Sequence, residues 1–406
     1  MRNKILFITQ WFDPEPIPKG LAFVRELVRQ GFDVEVLTGF PNYPSGKIYP
    51  GYRLKWLQRE CVDGVKITRV PLYPNHDQSA LKRALNYLSF AVTSSLYGLF
   101  SAQRPDVIYA YHPPLTVGIS AVIIRFFRRV PVVYDIQDMW PDTLRATGML
   151  TNLRALNFIS GVCDWVYRRV DQIVVLSPGF KRQLIERGVP ENKIVLIYNW
   201  CDEIAFAESC ASTSDKRLPV GMFTILFAGN MGKAQALDAV IDAAKLLDKK
   251  FPQINFIFIG GGVDVIRLKK MTNDYLLSNV IFLDAVPMAQ IGAILIKSDV
   301  LLVHLKKDPL FDITIPSKTQ AYMAVGKPLL MAVAGDAADV VLDSGCGLVA
   351  ESESAESIAH AVKKLFQMDA ADRAVMGMNG LTYYDENFSL AVGVRKFGLV
   401  FEKVSG

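Results

Sequence analysis

The sequence lacks the features that mark several large classes of protein. Its five cysteines and four histidines are scattered over 406 residues without a metal-ligand spacing, so no metal site is predicted. The longest apolar stretches, 88–100 and 115–124, are shorter than the roughly 18–20 residues that cross a bilayer. The opening residues MRNKILFIT have no apolar core of signal-peptide length. We therefore expect a cytoplasmic protein with free thiols.

The charge balance is too mild to indicate a nucleic-acid partner. The formal net charge is +5, and no basic stripe with interleaved aromatic residues occurs. This balance suits anionic small ligands or an anionic membrane surface. The arginines of 125–129, with Lys82, Arg83 and the apolar region 85–100, could form a basic, apolar face for anionic lipid. The alternative is that these apolar residues are core and the arginines are solvated.

Apolar strand-like runs alternate with helical patterns along most of the chain. Continuous apolar strands separated by helices indicate parallel sheets covered on both faces, and the alternation restarts after a polar stretch. We predict an α/β fold of two doubly wound, Rossmann-like domains facing a cleft, with ligands at the carboxyl ends of the strands. The predicted parts are a first domain at 1–200, a linker at 201–222, a second domain at 223–384, and a helix at 385–406 that could cross to the first domain.

Candidate substrate-binding residues follow three predicted strands of the first domain. Lys19 and Gly20 end a proline-rich loop, His112 follows VIYAY, and Asp138 follows VVYDI. A histidine at a strand end can hold a hydroxyl or a phosphate, and a carboxylate can orient acceptor hydroxyls. The alternatives are an ordinary connection for the loop and a capping or packing role for His112. Asp142, in the same stretch as Asp138, equally suits a helix N-cap.

Glycine-rich turns follow the first two predicted strands of the second domain. Gly229, Gly232 and Lys233 lie in the first turn, and Gly261 lies in the second. Glycines let backbone N–H groups approach a diphosphate closely. Neither turn is GxGxxG or a Walker loop, which argues against a dinucleotide or an ATP-hydrolysing site.

The stretch 312–334, DITIPSKTQAYMAVGKPLLMAVA, predicts a polar turn, a short helix and a strand. Ser317 suits a helix N-cap, and Lys318 would lie in the first turn. A lysine in the first turn interacts unfavourably with the positive end of the helix dipole. This placement is more understandable if a phosphate binds both the lysine and the helix N-terminus. The alternative is a capped surface helix with a solvated lysine.

Taken together, these segments resemble the retaining glycosyltransferases of family four, which have the GT-B fold. IPSKTQAYMAVGKPLL is similar to the family signature, and FAGNMGKAQALD resembles its donor loop. The resemblance implies sugar transfer from a nucleotide diphosphate, with anomeric configuration retained and without metal or cofactor. It is strongest to bacterial O-antigen and capsule enzymes, including those adding N-acetylfucosamine-type sugars. A UDP-sugar donor, an undecaprenyl-diphosphate-linked saccharide acceptor and peripheral attachment to the inner leaflet are then expected.

Carried over residue by residue, the resemblance implies a catalytic and a donor-binding set. The family's paired acidic positions fall on Asp312 and Gln320, and its basic pair falls on Asn230 and Gln235. Both pairs depart from the family pattern, which leaves Lys318 and Lys233 to neutralise the diphosphate. The catalytic set is Lys318, Asp312, His112 and Asp138, and the donor set is Gly229, Asn230, Gly232, Lys233, Gly261, Val286, Pro316, Ser317 and Gln320.

Two other functions remain open at this point. One is a nucleotide-sugar epimerase of the same fold, although the polar residues here are fewer than such enzymes usually need. The other is a non-catalytic subunit that binds nucleotide sugars, which the unusual Asp312 and Gln320 pair motivates.

Overall fold

A computed structural model describes residues 3–75, 79–210 and 217–406, which form two compact units. Unit 1 comprises Met1–Tyr198 with Ala391–Gly406, and unit 2 comprises Asn199–Leu390. Each unit is an α/β structure built on one mainly parallel sheet, as the alternating pattern predicts.

Unit 1 contains an eight-stranded sheet in the order β3-β4-β2-β1-β5-β6-β7-β8. All neighbouring strands are parallel except β3, which pairs with β4 in the antiparallel sense. The central strands are buried throughout their length, which explains their continuous apolar sequences. The strands are β1 Lys4–Ile8, β2 Asp33–Gly39, β3 Gln58–Val62, β4 Val65–Val70, β5 Val107–His112, β6 Val132–Ile136, β7 Gln172–Val175 and β8 Ile194–Leu196.

Six helices belong to the first part of unit 1. Their buried faces cover the sheet, and α2 packs along α3 where Gly98 lies against Ile124. The helices are α1 Leu21–Arg29, α2 Ala80–Phe100, α3 Thr116–Arg128, α4 Asp142–Ala146, α5 Leu153–Arg169 and α6 Pro178–Glu186.

Unit 2 contains a six-stranded, wholly parallel sheet in the order β11-β10-β9-β12-β13-β14. Its core gathers apolar residues of the central strands and of the helices beside them. The strands are β9 Phe223–Ala228, β10 Ile254–Ile259, β11 Val280–Leu283, β12 Val300–His304, β13 Leu329–Ala332 and β14 Gly347–Val349. The helices are α7 Glu203–Cys210, α8 Asp238–Leu247, α9 Val265–Asp274, α10 Met288–Lys297, α11 Pro309–Asp312, α12 Ser317–Ala324, α13 Asp336–Ser344, α14 Ala355–Gln367 and α15 Ala370–Asn387.

The stretch 201–222, which its polar composition predicts to be a linker, contains a helix. It includes α7, which belongs to unit 2, and residues 211–216 lie outside the described part of the chain. The Tyr384 hydroxyl donates to Glu203 Oε1 at 2.8 Å and accepts from the Cys201 N–H at 3.3 Å. These long-range contacts hold the segment in unit 2. They could not be predicted, because the sequence of this segment has no helical periodicity.

The chain ends in α16, Leu390–Ser405, and residues 391–406 belong to unit 1. Within unit 1, the Phe397 ring packs against Phe23 and Tyr109, with ring centroids 5.3 and 5.4 Å apart. Phe401 packs against Tyr109 at 5.4 Å. The end of the sequence thus completes the apolar core on one side of the first sheet.

Candidate functional site

Most of the predicted donor residues lie at one edge of the unit 2 sheet. Because its strands are parallel, the loops after β9, β10 and β11 leave from the same edge, and so does the segment that connects β12 to α12. The glycine turns 229–232 and 260–262 follow neighbouring strands there. Val286 lies half-buried in the loop after β11, at the end of the sheet.

The two glycine turns touch through their backbones. The Met231 N–H donates to the Gly261 carbonyl at 2.7 Å. A Cβ on Gly260 would overlap the Gly229 carbonyl, and one on Gly262 would overlap the Met231 backbone. Gly260 and Gly262 also have φ values of +139° and +147°, which side chains rarely adopt. Glycine is therefore needed at these two positions to join the turns.

This contact limits the prediction that the N–H groups of 229–232 hold a diphosphate, because three of these four groups donate within the protein. Gly229 donates to Ile259 at 2.8 Å, and Met231 donates to Gly261 as above. Gly232 donates to Gln235 Oε1 at 3.0 Å. These three N–H groups already have protein acceptors, so the turn shapes the site without offering them to a ligand.

The two amide residues at the family's basic positions bond within the same turn. Asn230 Nδ2 lies 3.5 Å from Gln235 Oε1, and the Asn230 side chain is exposed. Lys233 is also exposed, at the edge of the sheet. Asn230 and Lys233 are therefore accessible, whereas Gln235 helps to hold the turn.

Lys318 occupies the first turn of α12, as predicted, and it faces the glycine turn. Its Nζ lies 3.4 Å from the centroid of the Phe227 ring, and a Cβ on Gly229 would lie 2.9 Å from its Cε. The side chain is half-buried, and within the described ranges no carboxylate or hydrogen-bond acceptor contacts its ammonium. Burial lowers the pKa of Lys318 from 10.5 to about 7. A partly desolvated cation of this kind is suited to receive an anion.

The start of α12 differs in one detail from the prediction. The helix begins at Ser317, with Pro316 at the N-cap position and no side-chain cap. Ser317 is therefore the first helical residue, and it is exposed. In the described structure, the N–H groups of Ser317 and Lys318 donate to no protein acceptor, as expected of a first helical turn.

Tyr322 is a residue of this site that sequence reasoning missed. Its buried hydroxyl accepts from the Ala228 N–H at 3.0 Å and donates to the Ala228 carbonyl at 3.3 Å. These bonds connect α12 to the end of β9, immediately before Gly229. The tyrosine lies inside the signature stretch, but its partner is too distant in sequence to be identified from it.

Asp312 and Gln320 lie on either side of the turn that precedes α12. Asp312 is half-buried, and burial, with a smaller effect from Asp308, raises the pKa of its carboxyl. Gln320 is buried, and its amide group lies against the Pro316 and Ser317 carbonyls. With the amide assigned so that its nitrogen faces them, Nε2 donates to both, at 2.9 and 3.2 Å. Gln320 thus supports the start of its own helix.

In unit 1, His112 and Asp138 lie at the carboxyl ends of the adjacent strands β5 and β6. His112 is buried against Tyr134 and Trp140, with ring centroids 5.9 and 5.3 Å apart. Burial lowers the pKa of His112 to about 3, so its imidazole is neutral near pH 7. Burial also raises the pKa of Asp138, which is half-buried.

The structure contradicts the prediction that Lys19 binds an acceptor. Its Nζ lies 2.7 Å from Asp135 Oδ2, and both side chains are 0% exposed. The Tyr109 hydroxyl donates to the same oxygen at 2.5 Å, and Gln137 Nε2 donates to Oδ1 at 2.6 Å. Lys19 is therefore the buried partner of a carboxylate. Asp135, one residue of the YDIQD stretch, was not recognised as that partner.

Gly20 is also less open than its sequence suggests. It is buried directly before α1, and a Cβ there would overlap the Asp13 carboxylate. Asp13 Oδ2 accepts from the Leu21 N–H at 2.6 Å, so the start of α1 already binds an anionic group. The expected approach of a substrate to Gly20 is closed in this structure.

Neither a metal cluster nor a membrane-spanning helix is found in the described residues. No three His, Cys, Asp or Glu side chains of residues 3–75, 79–210 and 217–406 gather as metal ligands. Over the same ranges, no helix is long and apolar enough to cross a bilayer. Metal-independent chemistry remains a prediction.

The chain combines two α/β units, each built on a mainly parallel sheet, as in the GT-B fold class. In unit 2, Lys318 and the glycine turns lie at the carboxyl ends of the strands. Residues 21–200 match the family model described as glycosyl transferase 4-like domain, and residues 212–382 match glycosyl transferases group 1. The chain belongs to this family of glycosyltransferases.

Relatives and solved structures agree with this assignment. The putative colanic acid biosynthesis glycosyl transferase WcaI of Escherichia coli K12 is 30% identical over 75% of this chain and 76% of its own. The probable glycosyltransferase WbjE of Pseudomonas aeruginosa is 23% identical over 78% and 79%.

Two solved structures share the fold at 16% identity. The structural alignment with sucrose-phosphate synthase of Thermosynechococcus elongatus covers 99% of each chain, with a TM-score of 0.73. Anabaena Alr3699/HepE in complex with UDP covers 98% of this chain and 100% of its own, with a TM-score of 0.71. Both support the two-domain GT-B fold that the sequence predicts.

Proposed function

We propose that the chain is a retaining glycosyltransferase that moves a sugar from a UDP-sugar to a lipid-diphosphate-linked saccharide in bacterial surface polysaccharide synthesis. The observation that carries the proposal is Lys318, a half-buried ammonium beside Gly229 that lacks a counter-charge among the described residues. A diphosphate supplies that charge. A role in polysaccharide synthesis is supported by the relative named for colanic acid biosynthesis. The choice of UDP as the nucleotide of the donor is supported by the HepE complex with UDP.

In this proposal unit 2 binds the donor. The diphosphate lies at Lys318 and the N–H groups of Ser317 and Lys318, with Asn230 and Lys233 beside the glycine turn. Negative charge grows on the diphosphate as the glycosidic bond breaks. A fixed cation there stabilises the transition state more than the ground state. The sugar lies toward Asp312, and a UDP-N-acetyl deoxysugar is the favoured donor.

Unit 1 binds the acceptor, an undecaprenyl-diphosphate-linked saccharide at the inner leaflet. His112 is neutral at pH 7 and can hydrogen-bond a hydroxyl without carrying charge. Asp138, with its raised pKa, can exchange a hydrogen bond with an acceptor hydroxyl. The displacement takes place on one face of the sugar, and the leaving diphosphate removes the acceptor proton.

The test combines a binding screen with product analysis. Purified protein is screened against nucleotide sugars by thermal shift, because a ligand that binds the folded state raises its stability. The stabilising donor is then incubated with lipid-linked saccharides, and the anomeric configuration of the product is determined by NMR. Transfer with retention is expected.

Other outcomes would identify a different function. Free epimer formed without acceptor would identify an epimerase, and binding without turnover on any acceptor would favour a non-catalytic subunit. An inverted product would contradict the retaining mechanism.

A further inference from the structure

One side of helix α2 carries a continuous row of exposed apolar side chains. Their spacing of three or four residues places them on one face of a helix that is about 32 Å long. A row of this length is unusual on a soluble surface and marks an interaction site. Its members are Leu81, Leu85, Leu88, Val92, Leu96 and Phe100, which are 71, 47, 51, 59, 42 and 80% exposed.

Trp56 extends this row at its C-terminal end. It is 79% exposed and lines a groove of about 280 Å³ with Leu96 and Phe100. We call these seven residues the α2 face. One alternative from the sequence was that the apolar residues of 85–100 belong to the core. This is correct for Phe90 and Tyr97, which are buried, but not for the residues of the α2 face.

The two sequence segments that carry the α2 face contain basic residues and no acidic ones. Arg53 and Lys55 precede Trp56 in sequence and are exposed, and Lys82 and Arg83 lie in the first turn of α2. The sequence has no acidic residue in 40–59 or in 79–100. Apolar residues with tryptophan, lysine and arginine are typical of helices that lie in the interface of an anionic bilayer.

The arginines of 125–129 contribute less than the sequence suggested. Arg125 donates to Asp171 at 2.7 and 2.6 Å, and Arg128 donates to the carbonyls of Gly98 and Ala102 at 2.7 and 2.9 Å. Their donors are used within unit 1. Arg129, the third arginine, is exposed. The basic residues within the segments of the α2 face itself are Arg53, Lys55, Lys82 and Arg83.

The other side of α2 reaches the loop that follows β1. Gln10 Nε2 donates to Asn86 Oδ1 at 2.5 Å, and the Tyr87 ring lies 6.4 Å from Trp11. One helix therefore joins the exposed apolar row to the carboxyl edge of the sheet, where His112 and Asp138 lie.

We propose that the α2 face docks unit 1 on an anionic lipid bilayer, lying in the membrane interface. The inference rests on the proposed function, since a lipid-linked acceptor would be presented by that bilayer. A second copy of the chain is disfavoured, because a two-fold interface would bring the same basic residues together. An anionic bilayer neutralises them and also takes up the apolar row.

The test is co-sedimentation of the full chain with vesicles. Vesicles containing phosphatidylglycerol are compared with vesicles of phosphatidylcholine alone, and we expect at least about tenfold stronger partitioning into the anionic ones. A triple serine variant of the α2 face should lose at least about tenfold of that binding. A matched triple variant on exposed leucines of unit 2 should bind like wild type. The variants are Leu88→Ser/Val92→Ser/Leu96→Ser and Leu246→Ser/Leu276→Ser/Leu342→Ser.

Three results would overturn the docking proposal. The first is equal binding of wild type to both vesicle types, and the second is unchanged binding of the α2 variant. The third is a wild-type dimer that the α2 variant converts to monomer in sedimentation velocity, which would make the face an interface between copies. Transfer to a detergent-dispersed acceptor should be equal in wild type and the α2 variant. If neither wild type nor the α2 variant transferred sugar to this acceptor, the proposed function would be rejected. The vesicle-binding result would still test the docking proposal by itself.

Discussion

The ammonium of Lys318 lies 3.4 Å from the centroid of the Phe227 ring, at the point where α12 begins beside the glycine turn. The ring face stabilises the cation weakly, but burial removes much of its hydration. The pKa of Lys318 therefore falls to about 7 in the free protein. A diphosphate bound at Nζ would raise this pKa again.

Binding of UDP should accordingly take up a proton. At pH 8 most of the Lys318 side chains are neutral before binding and charged after it, so uptake of about 0.9 proton is expected. Titration calorimetry in buffers of different ionisation enthalpy measures this number. Lys318→Met should abolish the uptake, and binding enthalpies that do not depend on the buffer would refute the assignment.

The same pKa shift predicts how stability depends on pH. The unfolded chain binds the lysine proton up to about pH 10.5, whereas the folded chain releases it above about pH 7. The group therefore disfavours folding below pH 7, and this penalty disappears as the pH rises toward 10. The unfolding free energy of Lys318→Met minus that of wild type should therefore be more positive at pH 6 than at pH 10. Urea unfolding at both pH values measures this difference.

The contact between the two glycine turns predicts a contrast between neighbouring glycines. Gly262→Ala would place a Cβ against Met231 at positive φ and should cost roughly 1–3 kcal/mol of unfolding free energy. Gly261→Ala has nothing within 4 Å of the new Cβ and should change stability little. Urea unfolding of both variants checks this, and equal effects would exclude the close approach.

The hydroxyl of Tyr322 predicts a second contrast. Tyr322→Phe leaves the buried Ala228 N–H without its acceptor and should cost roughly 1–3 kcal/mol. It should also weaken UDP binding, because the bond holds the chain directly before Gly229. Tyr134→Phe is the control, since the buried Tyr134 hydroxyl has no partner in the described structure and its loss should be nearly neutral. Thermal unfolding with and without UDP distinguishes the two variants.

The buried Lys19 and Asp135 pair should be far more important to stability than an exposed pair of the same residue types. Lys19→Met leaves a buried carboxylate without its cation and should cost roughly 3–5 kcal/mol. Lys66 and Asp33 lie 2.8 Å apart with side chains 59% and 32% exposed, so Lys66→Met should cost less than about 1 kcal/mol. If urea unfolding showed similar losses of stability for the two variants, Lys19 would not be buried in an ion pair with Asp135.

The sequence predicted the strands that are buried on both faces, because such strands read as continuous apolar runs. Strands β3 and β14 lack such runs: β3 is half-buried or exposed along its length, and β14 has three half-buried residues. The short strand β8 was missed as well. Helix α7 was missed because its sequence has no amphipathic period, and its contacts with Tyr384, Leu390 and helix α10 explain its place.

The positions of Lys318 and of the glycine turns were predicted where local sequence determines local geometry, and their role in binding stays a prediction. A lysine at the start of a helix and glycines at strand ends could be identified without tertiary contacts, and both lie at the expected sheet edge. The partners of Lys19 and Tyr322 come from other strands and loops. Whether a charged side chain faces substrate or a buried partner depends on such pairings, which neither periodicity nor spacing encodes.

The central claim is that Lys318 receives the donor diphosphate. Its most direct test is steady-state transfer by Lys318→Ala beside Lys364→Ala, which removes an exposed lysine of α14. We predict that kcat/KM falls at least about a hundredfold for Lys318→Ala and stays near wild type for the control. Near wild-type turnover of the correct donor by a folded Lys318→Ala protein would contradict the claim.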